Sequence, residues 1–401
     1  MPAMSRCRVC QHALLEFFDF ERQPLSSAFV APDGTDDEFF FRLAVGMCES
    51  CALVQLIESV PPELAHHEGY PYHSAGSSVM TKHFEETARR FIETELTGPD
   101  PFVVEIGAND GVLLHTCGEA GIRHLAVEPS GAGTVRVHRA FFDAASAAAI
   151  LATDGPADVV YSANTICSVP DLRPVFEGLD VLLASDGVFV FEDPYLGEIL
   201  ERTAFDQIYD EHVFFFTVRA VQALAERFGF VLADVERLPV HGGQIRYTVA
   251  RAGRRTPTPA VAELLAEERE LGLTDMATLE AFGRKIQGIR TELVALLHRL
   301  RAEGHTIAAY GATAKSSTIA NYCGIGPDLV PYVCDTTPAK HGRLTPGSHI
   351  PVRPAAVFAD PYPDYALLFA WNHAEEIMAK ERAFREAGGR WILYVPHVHV
   401  V

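Results

Sequence analysis

The sequence has no run of about eighteen apolar residues, so no segment is long enough to span a bilayer as a helix. It has no basic excess either. Its 33 Lys and Arg face 53 Asp and Glu, a formal net charge of −20, whereas a nucleic-acid-coating surface needs a basic stripe. Neither a membrane nor a nucleic acid is therefore expected as a partner. A phosphorylated small molecule stays possible, because a few Arg, Lys or backbone N–H groups can hold one. The opening MPAMSRCRVC lacks the apolar segment of a signal peptide, so a cytoplasmic location is expected. Thiols stay reduced there, and paired cysteine spacings mean metal more often than disulfide. With 401 residues, 48% apolar and 21% charged, the chain has the makeup of a soluble protein of two or three domains that needs no disulfide staples.

Among the 8 cysteines, Cys7 and Cys10 form one C-x-x-C turn and Cys48 and Cys51 form a second. Each turn points two thiolates at one centre. Two turns close a four-thiolate zinc site with no open position, the structural rather than catalytic pattern. A redox pair fits less well, since thioredoxin-type C-x-x-C sits in a βαβ context that is absent here. The stretch EFFFRLAVGMC alternates like a strand running into the second turn. The competing reading is four unrelated buried thiols, which is how the scattered Cys117, Cys167, Cys323 and Cys334 are read. Next, YPYHSAGSS at 70–78 clusters Tyr, His and Ser beside Gly. It suits either a loop presenting hydroxyls and an imidazole or a linker whose rings pack.

A helical stretch at about 79–97 leads into PFVVEIGANDGVLLHTC, an apolar strand, a glycine turn and a helix. The turn carries Glu105, Gly107, Asn109, Asp110 and Gly111. It is not the dinucleotide fingerprint G-x-G-x-x-G. It is closer to the E/D-x-G-x-G-x-G turn of class I S-adenosylmethionine-dependent methyltransferases, with Asn109 in the second glycine's place. Glycines let backbone approach a ligand, and the helix N-terminus favours a carboxylate. The next strand ends on Glu128, placed as an acid that holds a ribose diol. DVVYSANTI ends a third strand near Asn164, and GVFVFEDP makes a fourth. This alternation predicts a doubly wound parallel sheet. Between Glu128 and the next strand, PSGAGTVRVHRA is near the minimum for a parallel crossover and is a poor helix former.

Tyr209, Glu211 and His212 then stand before an aromatic run. A histidine beside an acid can be oriented and tuned as a general base, though such a pair also decorates surfaces. His241-Gly242-Gly243 lets a ligand come close, or is simply a hairpin turn. Residues 257–303 read as two helices. TIAAYGATAKSSTIANYCG then reads as a second strand, turn and helix start, with Lys315 and hydroxyls suited to phosphate but without Walker spacing. VPYVCD runs into a basic loop with Lys340, His341, Arg343 and His349. YALLFAWNHAEEI places Asn372 and His373 at another strand end. Three successive strand ends of this kind favour a ligand site over solvated loops.

Taken in order, the four-cysteine module, the EIGxNDG turn, YDEH, HGG, YGAxAK and DxxPxKxGRxxPGxHIPV resemble one family over essentially the whole chain. It is that of the deoxysugar C-methyltransferases of antibiotic-sugar pathways, most closely the C-3 methyltransferases of dTDP-4-keto-deoxysugars of the tetronitrose-pathway type. The resemblance implies an α/β protein with a zinc-binding module at 1–70, a class I S-adenosylmethionine domain at 71–250 and a C-terminal Rossmann-like nucleotide-sugar domain at 251–401. The dTDP-sugar lies between the last two. It further implies His212 as the base that removes the C-3 proton, with Tyr209 and Glu211 beside it, and Tyr72 and His73 on a loop reaching the sugar. Glu105, Gly107, Asn109, Asp110, Gly111, Glu128 and Asn164 are the expected S-adenosylmethionine contacts. His241, Lys315, Lys340, Arg343, His349 and Asn372 are the expected substrate contacts, with Lys315 and Arg343 on the phosphates. Two features depart from the family pattern: Ser168 stands where the family has histidine, and the segment after Glu128 is short. An enzyme that enolises and epimerises C-3 without methyl transfer is the alternative.

Overall fold

The computed structural model describes residues 5–61, 64, 78–129 and 135–401, the side chain of residue 36 excepted. Tyr72 and His73 lie outside the described residues. No helix among the described residues is long and apolar enough to cross a membrane.

Three sheets organise the described residues. The first joins β1 (Leu14–Pro24), β2 (Phe40–Cys48) and β3 (Val54–Leu56) as an antiparallel meander. Its fourth strand, β9 (Phe214–Phe215), arrives from the middle of the chain and pairs Val54 with Phe215. All three phenylalanines of the 214–216 run are buried. The run therefore stitches the N-terminal module to the next domain.

The second sheet contains β4 (Phe102–Ile106), β5 (Arg123–Val127), β6 (Val137–His138), β7 (Ala157–Ala163), β8 (Leu183–Pro194), β10 (Phe230–Leu238) and β11 (Gln244–Arg251), in the order β10-β11-β8-β7-β4-β5-β6. Its central strands are almost wholly apolar, as expected where helices cover both faces. β4 through β8 are parallel, as the alternation of strands and helices predicts. β11 departs from this: it runs antiparallel to both β8 and β10. The tight turn at 239–243 makes β10 and β11 a hairpin, and a hairpin can only pair antiparallel. β6 follows β5 with no helix among the described residues, and the helix Ala144–Asp154 comes only after β6. Asp143 caps that helix reciprocally with Ser146.

The third sheet orders β12 (Ile307–Tyr310), β13 (Val333–Asp335), β14 (Val352–Pro354), β15 (Tyr365–Leu368), β16 (Arg390–Leu393) and β17 (His399–Val400) as β14-β13-β12-β15-β16-β17, parallel except for β17. Two helices, Pro259–Glu270 and Met276–Ala302, fill the 257–303 stretch. The second buries Leu279, Phe282, Ile286, Ile289, Leu293, Leu297 and Leu300, one stripe at helical spacing. On that stripe Gly283 lets Phe18 of β1 approach so closely that an added Cβ would lie 2.8 Å from the ring. The long helix thus lies on the N-terminal sheet.

Candidate active site and metal centre

The meander brings the two C-x-x-C turns together. The four sulfurs of Cys7, Cys10, Cys48 and Cys51 lie within 4.8 Å of one another. Cys7 Sγ is 3.7 Å from Cys51 Sγ, and Cys10 Sγ is 3.3 Å from that of Cys48 and 3.7 Å from that of Cys51. A tetrahedral zinc with Zn–S bonds of about 2.3 Å spaces its sulfurs about 3.8 Å apart, so the cluster fits the ion. The backbone N–H of Val9 and the Gln55 amide both donate to Cys7 Sγ, at 3.4 and 3.3 Å. These bonds, with the Cys51 contact as the largest cause, hold Cys7 down to about 4, while burial pushes Cys48 up to about 11. Sulfurs so crowded cannot all ionise without a cation between them. The other four cysteines are free and buried.

At the C-terminal end of β4 lies the turn at which the cofactor contacts are expected. Gly107 has φ +71°, and Asn109 has φ 49°. Asparagine is the residue that best tolerates this left-handed region after glycine, so Asn109 keeps the turn without a glycine. Glu105 is buried, and its Oε2 has no hydrogen-bond partner among the described residues. Burial, with Glu192 and Glu128 adding repulsion, pushes its carboxyl up to about 8. The orphaned oxygen is an acceptor for a cationic or N–H group of a ligand. Asp110 and Gly111 complete the turn before the helix Val112–Glu119, and Glu128 follows β5 directly. Asn164, with φ 52°, ends β7 and accepts the Gln244 amide. A Cβ on Gly107 would overlap the Thr165 side chain, and φ there is unfavourable for any L side chain. Gly107→Ala is expected to cost about 1–3 kcal/mol in folding and to lose cofactor binding, checked by thermal melts and by calorimetric titration with S-adenosylmethionine.

Beside this turn lies a charge network that the sequence reading does not contain. Glu192, 1% exposed, ends β8. Arg246 of β11 reaches its Oε1 through Nε at 2.8 Å, and His83 Nε2 lies 2.6 Å from its Oε2. Burial pushes Glu192 up, and His83 and Arg246 more than offset this, leaving it below the ordinary carboxylate range. Asp193 next to it anchors the turn Ile166–Ser168 by accepting the Cys167 N–H at 3.0 Å. Ser168 sits on that turn. The FEDP and IRY segments each carried the signal, an acid and an arginine within apolar strands.

The YDEH loop is held from all three domains. Ser26 N–H donates to Asp210 Oδ1 at 2.9 Å, and Ser27 Oγ donates to Glu211 Oε1 at 2.6 Å. Trp371 Nε1 and Tyr394 OH donate to Asp206 Oδ2 at 2.7 and 2.6 Å. Thr318 OH donates to the Ile208 carbonyl, and the Gln207 amide donates to the His241 carbonyl. Inside this frame His212 Nδ1 donates to the Gln207 carbonyl at 2.9 Å. A carbonyl only accepts, so the proton is on Nδ1 and the Nε2 lone pair is free for a donor. Tyr209 OH supplies one at 2.8 Å. Burial, with Lys315 nearby, pushes His212 down to about 3, and burial with the same lysine pushes His241 to about 3.

The structure thus brings Tyr209, Glu211, His212, His241 and Lys315 together. Asn372 lies between Trp371, which reaches Asp206, and His373, which feels the Lys315 charge. Lys340, Arg343 and His349 are engaged elsewhere. Lys340 Nζ donates to the Ala312 carbonyl at 2.8 Å. Arg343 donates to the Phe29 carbonyl at 3.0 Å, and His349 pairs with Glu38, so both join the C-terminal domain to the zinc module.

Three family models match successive parts of the chain, and the last begins ahead of β11 of the second sheet. A zinc binding domain model matches residues 7–65, a methyltransferase domain model 80–235, and a C-methyltransferase C-terminal domain model 239–396. The C-methyltransferase NovU of Streptomyces niveus is 34% identical over 99% of this chain and 97% of its own. A SAM-dependent methyltransferase structure from Archaeoglobus fulgidus is 18% identical, with TM-score 0.32, over 43% of this chain and 94% of the other. One from Clostridium acetobutylicum is 13% identical, with TM-score 0.33, over 43% and 92%. With near full-length identity to a C-methyltransferase and with its zinc and methyltransferase domains matched in turn, the chain belongs to the C-methyltransferase family, as an S-adenosylmethionine-dependent enzyme carrying a structural zinc module.

Proposed function

We propose that the substrate is a dTDP-4-keto-deoxysugar and that the methyl group goes to C-3 through an enolate, in the building of antibiotic deoxysugars. The observation that carries this reading is the His212 tautomer: a buried neutral imidazole whose Nε2, now accepting from Tyr209 OH, is kept unprotonated by a backbone carbonyl that holds the proton on the far nitrogen. A base is what a carbon acid beside a ketone requires. The C-4 carbonyl acidifies the C-3 proton, His212 Nε2 takes that proton, and the electron pair moves into the C-3–C-4 bond with charge on O-4. S-adenosylmethionine supplies an electrophilic methyl group for C-3. His212 is buried and the residues 213–216 that follow it are buried throughout, which keeps the base poorly solvated. The Ser27 hydroxyl holds Glu211 in place.

A second reading is favoured by Ser168 and by the shortness of the segment after Glu128. Serine neither protonates nor carries charge as imidazole does. With the base intact and methyl transfer lost, reprotonation from the opposite face gives a C-3 epimerase. Mass spectrometry of a dTDP-4-keto-6-deoxysugar incubated in D2O, with and without S-adenosylmethionine, separates the two. A methyl-for-hydrogen gain only with the cofactor is the expected result. Deuterium at C-3 without methyl gain would replace the first reading by the second.

A further inference from the structure

Lys315 is the least conventional charge in the cleft. It occupies the second position of the helix Ala314–Cys323, which Thr313 caps by accepting the Ser316 N–H. One turn further along the same face, Thr318 donates to the Ile208 carbonyl at 2.8 Å. Residues three apart share a helix face, so Lys315 is presented to the YDEH loop. Its ammonium makes no hydrogen bond among the described residues and lies within electrostatic reach of Asp206, Glu211, His212, His241 and His373.

Two of those neighbours are carboxylates. Asp206 is fully buried, with Oδ2 taken by Trp371 and Tyr394 and Oδ1 without a partner among the described residues. Glu211 is tied to Ser27. A diphosphate carries about two negative charges and would be repelled by this pair, whereas anion sites gather N–H donors and arginines. A neutral ketone suffers no such repulsion. It becomes anionic only when the base takes its proton, and a fixed cation then stabilises the new charge without reorganisation. Lys315 acts electrostatically on the His212 base from a helix whose Thr318 meets the Ile208 carbonyl, so the cation stands on the side of the helix that faces the proton acceptor.

We propose that Lys315 is a catalytic residue whose ammonium stabilises the enolate oxygen at C-4, not a phosphate contact. This rests on the C-3 enolisation reading. Balance is kept within the enzyme: the C-3–H bond breaks, His212 holds the proton, and O-4 carries the charge that Lys315 faces.

The test uses full-length zinc-loaded protein and dTDP-4-keto-6-deoxyglucose in D2O. The readouts are C-3 deuterium exchange, methyl transfer at saturating sugar, and the Kd of dTDP by calorimetry. Lys315→Met is expected to slow exchange and transfer by about a hundredfold or more, while dTDP affinity stays within about threefold, since no phosphate contact is lost. Lys315→Arg should restore part of the rate. Lys315→Gln, a polar replacement, gives the same readout should methionine disturb folding. Unchanged exchange together with a tenfold or greater loss of dTDP affinity, about 1.4 kcal/mol, would make Lys315 a phosphate contact and overturn the assignment alone. A wild-type enzyme that neither exchanges nor methylates C-3 would overturn the C-3 reading and this assignment together.

Discussion

His212→Ala is expected to lower methyl transfer by about 10²–10⁴-fold, the span that a positioned general base contributes. Calorimetric binding of S-adenosylmethionine should survive, because the turn at 105–111 lies on another strand end. Retained turnover would remove His212 as the base. The expectation follows from geometry before pKa. The Gln207 carbonyl fixes the proton on Nδ1, and Tyr209 meets Nε2, so a ¹⁵N imidazole spectrum at pH 6 should show one Nδ1–H tautomer. An imidazolium signal there would contradict it. The same burial sets a stability signature. His212 is held at about 3 when folded, against 6.5 when unfolded. Between those values the unfolded chain binds more protons, so stability is fullest above pH 6.5 and falls as the pH drops toward 3. Removing the imidazole removes that contribution, and melts of the variant should fall less steeply from pH 6.5 to 4 than those of the wild type.

The parts of the protein that are legible in the sequence are those written in adjacent residues. C-x-x-C spacing, the EIGxNDG turn and YDEH each carry their geometry locally, because a turn or a helix start fixes neighbours within a few residues. β1 is not legible in this way. Register shifts between Glu16 and Phe18 and between Asp19 and Arg22 break its period of two, so ALLEFFDFERQP does not alternate cleanly. The Glu192 network fails to show for another reason. His83 and Arg246 lie 109 and 54 positions from the acid, and only the sheet order β11-β8 brings two of the three together. Lys340, Arg343 and His349 show the converse. A basic loop at a strand end reads as a ligand site, yet Arg343 and His349 are spent on Phe29 and Glu38 of the first module. Composition identifies charges available for a ligand; it does not show which of them another domain has already taken.

That interdomain use of charge gives the second large effect. Removing the zinc with a chelator, or replacing Cys48 by serine, is expected to abolish methyl transfer although none of the four cysteines belongs to the YDEH loop. Structural zinc contributes about 10–16 kcal/mol to small zinc modules, comparable to the whole stability of a typical domain. The cysteines close the ends of β1, β2 and β3 around one point, and those strands lead into contacts that hold the YDEH loop. Ser26 and Ser27 hold Asp210 and Glu211, and β3 pairs with β9 two residues after His212. Losing the ion therefore frees Glu211 and the base together. Ser27→Ala tests the link without touching zinc: loss of one hydrogen bond to a charged acceptor costs about 1.5–3 kcal/mol, so the rate should fall by about ten- to a hundredfold while metal content stays at one zinc per chain by elemental mass spectrometry. A chelated protein that keeps both its melting transition and its turnover would show that the cysteine cluster does not hold the YDEH loop.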